Sequence, residues 1–255
     1  MEEAVIKGAR LLREAERVLA FTGAGLSTES GIPDFRSPGG IWDRYDPADF
    51  DFHRIVSSDR AREAYWRMST EFYGTMKDAL PNPAHLALRE LEETGRLSAV
   101  VTQNIDNLHQ KAGSSPGKVI ELHGTAFQVT CLDCGASYER DVIEARLAAG
   151  ESLPACDACR GILKPATISF GQAMPREAME ESLRLAEACD LCLVLGSSLV
   201  VYPAASVPAC AQRSGARLVV INRDPTPLDD LADLVIHGAV GELLPRIVQA
   251  ARGTS

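Results

Sequence analysis

Four cysteines stand in two pairs, Cys131 with Cys134 and Cys156 with Cys159, and 21 residues separate the pairs. Each C-x-x-C knuckle can offer two thiolates to one metal from a tight turn, and two knuckles complete a tetrahedron. Four protein ligands leave no open position for water. The spacing therefore predicts a structural zinc ion, stapling a segment too small to hold its own core. A second group lies in the stretch "FTGAGLSTESGIPDFR". Gly23 and Gly25 fit the first two glycines of G-x-G-x-x-G, a loop whose backbone N–H groups and following helix can cradle phosphate. The third position is Thr28, and Ser27, Ser30, Asp34 and Arg36 crowd behind it. The run "TQNID" brings Gln103, Asn104 and Asp106 together, a set that can recognise sugar hydroxyls or cap a helix. His123 in "ELHG" is a candidate general base, because its ring titrates near neutral pH.

Elements that would position these groups are readable around them. Ile6, Ala9, Leu12 and Ala15 recur at helical spacing, so the chain opens with a helix. "RVLAF", "LSAVVTQN", "KVIELHG", "DLCLVLGSS" and "ARLVVIN" read as short buried strands. "NPAHLALRELEETG", "PREAMEESLRLAEAC" and "VGELLPRIVQAAR" read as helices between and after them. Such alternation predicts an α/β fold with a doubly wound, Rossmann-like parallel sheet. Each strand ends in small or polar residues: Thr22-Gly23, Gln103-Asn104, His123-Gly124, Gly196-Ser197 and Asn222. In open parallel sheets, ligands bind beyond the carboxyl ends of the strands, so all five clusters fall on one rim. Of the five histidines, His123 alone sits at such an end. His53 lies in an insertion, His85 and His109 in helical stretches, and His237 near the C-terminus.

Two segments interrupt the rhythm. Residues 37–80 are loop-rich, then helical and aromatic, and residues 126–165 carry the paired cysteines. The expected division is a Rossmann-like domain of residues 1–36, 81–125 and 166–255, a helical insertion of 37–80 and a zinc module of 126–165. Cys189, Cys192 and Cys210 fall in helix and strand patterns and read as small buried apolar residues.

At 255 residues and 45% hydrophobic, the chain can bury a full core. Its net charge of −9 argues against nucleic-acid binding through charge. No apolar run approaches the roughly 18 residues of a membrane span. The N-terminus lacks the basic start and apolar middle of a signal peptide, which points to the cytoplasm and to reduced thiols.

Taken in order, "GAGLSTESGIPDFR", "TQNIDNLH", "ELHG", the two C-x-x-C pairs, "SFG", "GSSLVVYPAA" and "VIN" resemble the sirtuin family, NAD-dependent protein lysine deacylases. The resemblance spans about Leu12 to Ile247. It implies a cofactor loop of Gly23, Ala24, Gly25, Thr28, Asp34, Phe35 and Arg36 beside the diphosphate of NAD. Gln103 would contact a ribose. Asn104, Ile105 and Asp106, with Ser30 and Ile32, would hold the nicotinamide end. Gly196, Ser197, Ser198, Asn222, Arg223, Asp224 and Val240 would surround the adenosine half. Ile168, Phe170 and Val201, with Tyr65, would line the tunnel for an acyl-lysine, and the substrate peptide would add as a strand between "SFG" and "LVVY". The implied reaction is acyl transfer to ADP-ribose with release of nicotinamide, His123 acting as base, Asn104 and Asp106 as catalytic partners and zinc taking no part.

Two other readings use the same residues: mono-ADP-ribosylation of protein acceptors, and a non-catalytic NAD sensor whose zinc module binds a partner. His123, Asn104 and Asp106 argue against the sensor, which needs no base. A dehydrogenase is excluded by the missing third glycine and by the absence of a second strand before Asp43, the acid at the right distance. In one sirtuin branch a Tyr-x-x-Arg motif reads charged acyl groups. Here Tyr65 is followed three residues later by Met68, and Arg67 is about 100° away around a helix, so uncharged acyl groups are expected.

Overall fold

The computed structural model describes residues 1–253. In chain order the strands are β1 (Val18–Thr22), β2 (Leu97–Thr102), β3 (Val119–Glu121), β4 (Gly124–Cys131), β5 (Ser137–Glu139), β6 (Leu163–Thr167), β7 (Leu191–Leu195), β8 (Arg217–Asn222) and β9 (Leu234–His237). The helices are α1 (Glu2–Glu14), α2 (Phe52–Ser57), α3 (Asp59–Asp78), α4 (Pro83–Glu93), α5 (Leu108–Lys111), α6 (Arg140–Ala148), α7 (Arg176–Ala188), α8 (Ser206–Arg213) and α9 (Val240–Arg252).

Six strands form one parallel sheet in the order β3-β2-β1-β7-β8-β9. Counted within that sheet, this is the 3-2-1-4-5-6 order of the doubly wound nucleotide-binding fold, with its switch point between β1 and β7. Alternation of side chains across the sheet feeds two cores. Val18 and Ala20 of β1 face α1, α4 and α9, whereas Leu19 and Phe21 face α7 and α8. All five residues of β1 are buried, as a central parallel strand requires.

The opening helix forms, but Ile6 is 58% exposed and is not part of its buried stripe. Val5, Ala9 and Leu12 make that stripe with Gly8, where a Cβ would stand 3.1 Å from Ile247 Cδ1 of α9. Close packing of α1 on α9 thus selects a phase slightly turned from the apolar count. Strand β9 and helix α8 extend the pattern beyond the elements expected from sequence.

The two interrupting segments share a core. β5, β4 and β6 form a three-stranded antiparallel sheet. Trp66 of α3, fully buried, packs there with Val129, Cys131, Ile143, Cys156 and Leu163. Arg140 is also buried: its guanidinium lies over the Trp66 and Tyr73 rings and donates to Ser69 Oγ and Glu144. The lobe is held by packing and cation–π contact as well as by its cysteines.

Candidate active site

The glycine loop closes the switch point. Gly25 N–H donates to Gly196 O at 2.9 Å, and Gly23 N–H donates to Leu195 O at 3.1 Å. A Cβ on Gly25 would stand 2.9 Å from Gly196 O, and one on Gly196, at φ +62°, would stand 2.2 Å from Leu26 N. The glycines are thus required by the close passage of two strand ends. Their N–H groups are committed to β7 and its loop rather than offered to a phosphate. The chain then makes two short 3₁₀ turns, Ala24–Leu26 and Thr28–Ser30, in place of the expected helix.

Beyond this crossing lies a cleft lined by Gly25, Thr28, Asp34, Ser37, Gly196, Asn222, Arg223, Asp224, Gly238 and Val240. Eight of these ten are among the residues expected around a dinucleotide; Ser37 and Gly238 are additions that sequence spacing did not reveal. Asn222 Nδ2 donates to Asp224 O at 2.8 Å and shapes the wall. Asp34 accepts from the N–H groups of Arg36 and Ser37 and from the Ser37 hydroxyl. Its partial burial works the other way, but these bonds and the Arg223 charge hold its carboxyl below the ordinary value. Phe35 packs on Trp42, and Trp42 on Phe170, so the loop reaches the segment after β6. Arg36 is exposed. A larger cavity, about 470 Å³, lies against Arg13, Arg96 and Arg252, where Arg96 precedes β2, and contains none of these residues.

A buried polar cluster follows the ends of β1 and β2. Ser27 Oγ donates to Asp106 Oδ2 at 2.7 Å, and Asn104 Nδ2 donates to Gly23 O and to Ser27 Oγ, each at 3.1 Å. Ala24, Ile32 and Ile105 stand half-exposed around this cluster. Burial raises the Asp106 pKa, against hydrogen bonds from Leu108 N–H and Ser27. Gln103 Nε2 donates to Ser197 Oγ at 2.8 Å, joining the ends of β2 and β7, with Ser198 next along that rim. Ser30 Oγ accepts from Asn82 Nδ2 at 3.1 Å, a partner that the capping signal of "NPAH" concealed. Capping and pocket formation thus coexist: Asp106 Oδ1 also accepts the N–H of Leu108 at the start of α5.

His123 stands on the same rim, two residues beyond the end of β3. Its Nδ1 stands 3.0 Å from Gln103 O. A carbonyl only accepts, so Nδ1 carries the proton and Nε2 carries the free lone pair. Burial lowers the His123 pKa, partly offset by that backbone bond. Gly124 follows at φ +69°, where a Cβ would stand 1.9 Å from Ala166 O, and His123 O accepts Ile168 N–H at 2.9 Å. His123 is therefore clamped between the two sheets. Ile168, Ser169 and Phe170 continue from β6. Phe170 is pinned by bonds to Phe50 O and from Phe52 N–H yet is 46% exposed, and Val201, in the loop after β7, is half-exposed. Tyr65 reaches this region from α3, its hydroxyl 3.1 Å from Thr167 Oγ1. Met68 is buried on the same helix face and Arg67 is exposed, as the helical spacing required. One cation was not anticipated: Lys164, buried, lies over the Tyr65 ring and donates to Thr167 O at 2.6 Å.

The four cysteine sulfurs gather within 4.8 Å of one another. Cys131 and Cys159 sulfurs are 3.5 Å apart, and those of Cys134 and Cys156 are 3.6 Å apart. Tetrahedral zinc with bonds of about 2.3 Å puts thiolate pairs about 3.8 Å apart, so the residues fit that ion. Gly161 N–H donates to Cys159 Sγ at 3.4 Å, and the Tyr138 hydroxyl is 3.2 Å from Cys156 Sγ, as outer partners of a thiolate site. Of the remaining thiols, Cys189 and Cys192 are buried and Cys210 is half-exposed.

A Rossmann-ordered sheet with a polar cleft at its switch point, a half-buried histidine on the same rim and a four-cysteine lobe fits the class of enzymes that use a dinucleotide. Comparison with known proteins narrows this. Residues 23–203 match the Sir2 family model. An NAD-dependent protein deacetylase of Bradyrhizobium diazoefficiens is 50% identical over 92% of this chain and 91% of its own. An NAD-dependent protein deacylase of Archaeoglobus fulgidus is 42% identical over 99% and 98%. A solved Sir2 with a deacetylated peptide and 3′-O-acetyl ADP-ribose superposes with a TM-score of 0.90, at 41% identity and 98% coverage of each chain. The chain belongs to the Sir2 family.

Proposed function

We propose that this chain removes acyl groups from lysine side chains of proteins, using NAD as co-substrate and zinc as a structural ion. The carrying observation is His123, whose Nδ1–H is held by Gln103 O while Nε2 keeps its lone pair on the rim of the cleft. NAD, when bound, would supply the ribose carbon that accepts the acyl oxygen as its bond to nicotinamide breaks and nicotinamide leaves. The cleft of Gly25, Thr28, Asp34, Asn222, Arg223, Asp224 and Val240 would hold the adenosine and diphosphate portions. Ser27, Asn104 and Asp106 would hold the nicotinamide amide, since together they offer both donors and acceptors in a buried setting. Gln103, fixed by Ser197, would orient the adjoining ribose. His123 Nε2 then takes the proton of a ribose hydroxyl as that oxygen attacks the acyl carbon. An amide oxygen is a weak nucleophile, so positioning supplies much of the rate.

Ile168, Phe170 and Val201 would receive the acyl-lysine, and the exposed Phe170 and Val200 would receive the peptide as an added strand. In domain terms we assign NAD to residues 1–36, 81–125 and 166–255, the cofactor loop and helical cover to 37–80, and the zinc module to 126–165. Among the described residues no helix is long and apolar enough to cross a membrane; with four cysteines serving as zinc ligands, the reducing cytoplasm would be the site of action. The test is an acetyl-lysine peptide incubated with the zinc-loaded protein, with and without NAD. Loss of one acetyl mass that requires both NAD and His123 is expected. Acetyl loss without NAD, or persisting in His123→Ala, would overturn the reading.

A further inference from the structure

Two histidines outside this chemistry lie beneath the glycine loop. His85, in the first turn of α4, has no exposed surface, and His109, in α5, is 1% exposed. Their ring centroids are 5.1 Å apart. The proton on each ring can be located from its other partner. Asn82 N–H points at His85 Nδ1 at 3.4 Å, so Nδ1 accepts and a neutral ring carries its proton on Nε2. The Thr22 hydroxyl donates to Thr102 Oγ1 at 2.8 Å, which uses its only proton. Toward His109 Nε2, at 3.1 Å, Thr22 therefore accepts, and His109 too carries its proton on Nε2. Among the described residues the two buried ring nitrogens left without partners are His85 Nε2 and His109 Nδ1. One is a donor and the other an acceptor. Burial lowers the pKa of His85 to about 4 and of His109 to about 3, the latter also through the His85 charge, so both rings are neutral.

We propose that His85 and His109 exchange a hydrogen bond, directly or through one enclosed water, and act as positioning residues for the nicotinamide side of the cleft. The line runs one way, from Asn82 N–H through His85, His109 and Thr22 to Thr102, whose oxygen also accepts Asn104 N–H at 3.0 Å. At its start, the Asn82 side chain donates to Leu26 O at 2.7 Å and to Ser30 Oγ at 3.1 Å. Both walls of the pocket, residues 26–30 and Asn104, hang from the same buried pair. Two apolar side chains would fill this space without leaving polar nitrogens to be satisfied. Two imidazoles with complementary protons do what those cannot, which is to set the register of the walls.

The functional half of this proposal rests on reading the pocket as the nicotinamide site; the tautomers do not. Long-range ¹H–¹⁵N spectra of the zinc-loaded protein, with no substrate, are expected to show both rings as neutral Nε2–H forms from pH 7.5 to 5.5. The His85 Nε2–H should be protected from exchange. An Nδ1–H form or a charged ring at either position overturns the pair. In kinetics, His109→Leu removes the bond to Thr22, whereas His109→Gln can rebuild it. Relative to the parent, His109→Leu should raise the KM for NAD about three- to tenfold, the effect of one lost hydrogen bond, and leave the acyl-peptide KM within about twofold. His109→Gln should recover most of the change. Thr22→Val, which breaks the next link, should reproduce the split even if His109→Leu does not fold. Equal effects on both KM values, or none on the NAD KM, would contradict a positioning role.

Discussion

His123, the proposed base, is shaped by two opposing influences: Gln103 O accepts a hydrogen bond from Nδ1–H, and burial disfavours the charged ring. Burial prevails over that bond, so Nε2 keeps its lone pair over more of the acidic range than in a free imidazole. The acidic limb of kcat/KM for an acetyl-peptide should consequently lie below about pH 6.5, the ordinary histidine value; a limb above it would mean that another group controls the rate. His123→Ala should keep NAD binding and lose about 10²–10⁴-fold in turnover, measured by calorimetry and peptide assay respectively. Met68 makes a second residue-scale case. It is buried on the Tyr65 face of α3, where a succinyl carboxylate would need a cation. A charge-assisted bond contributes about 1.5–3 kcal/mol, or about 10–100-fold in rate constant. Acetyl- and butyryl-lysine should therefore exceed succinyl-lysine in kcat/KM by at least about tenfold, and Met68→Arg should narrow the gap. Equal use of succinyl-lysine by the parent would show that Lys164, now bound to Thr167 O, can reach the tunnel instead.

Among the elements, the zinc lobe and its anchor have separable roles. Cys131 and Cys156 are buried against Trp66, so their sulfurs serve the lobe core as well as the metal. Cys131→Ser should release zinc and lower folded yield, because binding and folding are coupled in such modules; unchanged melting with no metal bound would refute a structural ion. The elements differ in how far the chain announced them. Five strand ends were readable because each apolar run stops at polar or glycine residues. Strand β9 was hidden by its length of four residues, and α8 by Pro208 inside it. The strands around the cysteines lack apolar alternation, and the largest side chain of that lobe's core, Trp66, comes from a helix distant in sequence. The glycine loop has a role that its spacing did not announce: Gly23 and Gly25 serve the crossing of β1 and β7, while Gly25 also lines the cleft. Asn104, Asp106 and the cysteine tetrad were legible because one short motif holds each. The pairing of His85 with His109 was not, because it depends on how α4 meets α5.

On the scale of the whole molecule, those two histidines link the site to acid stability. Unfolded, each titrates near 6.5; folded, they titrate near 4 and 3. Below the unfolded value the unfolded chain binds more protons, so stability is full above about pH 6.5 and falls as pH drops toward the folded values. Asp106 and Glu121, whose pKa values burial raises, act oppositely and are relieved by acid. Between pH 6.5 and 5 each histidine should cost on the order of 2 kcal/mol. Urea midpoints at pH 7 and pH 5 should therefore fall less for the His85→Gln/His109→Gln protein than for the parent; equal falls would mean that other groups govern the acid limb. The parallel sheet presents Gln103, Asn104, His123, Ser197 and Asn222 at or beyond the carboxyl ends of its strands, and Trp66 of α3 packs into the core of the cysteine lobe. The central claim is that this rim transfers an acyl group from lysine to ADP-ribose. Mass spectrometry of a single incubation with acetyl-lysine peptide and NAD measures it directly. Free lysine peptide, nicotinamide and O-acetyl-ADP-ribose in equal amounts is the predicted result. Nicotinamide release accompanied by ADP-ribose attached to protein, with the acetyl group still on the peptide, would contradict it.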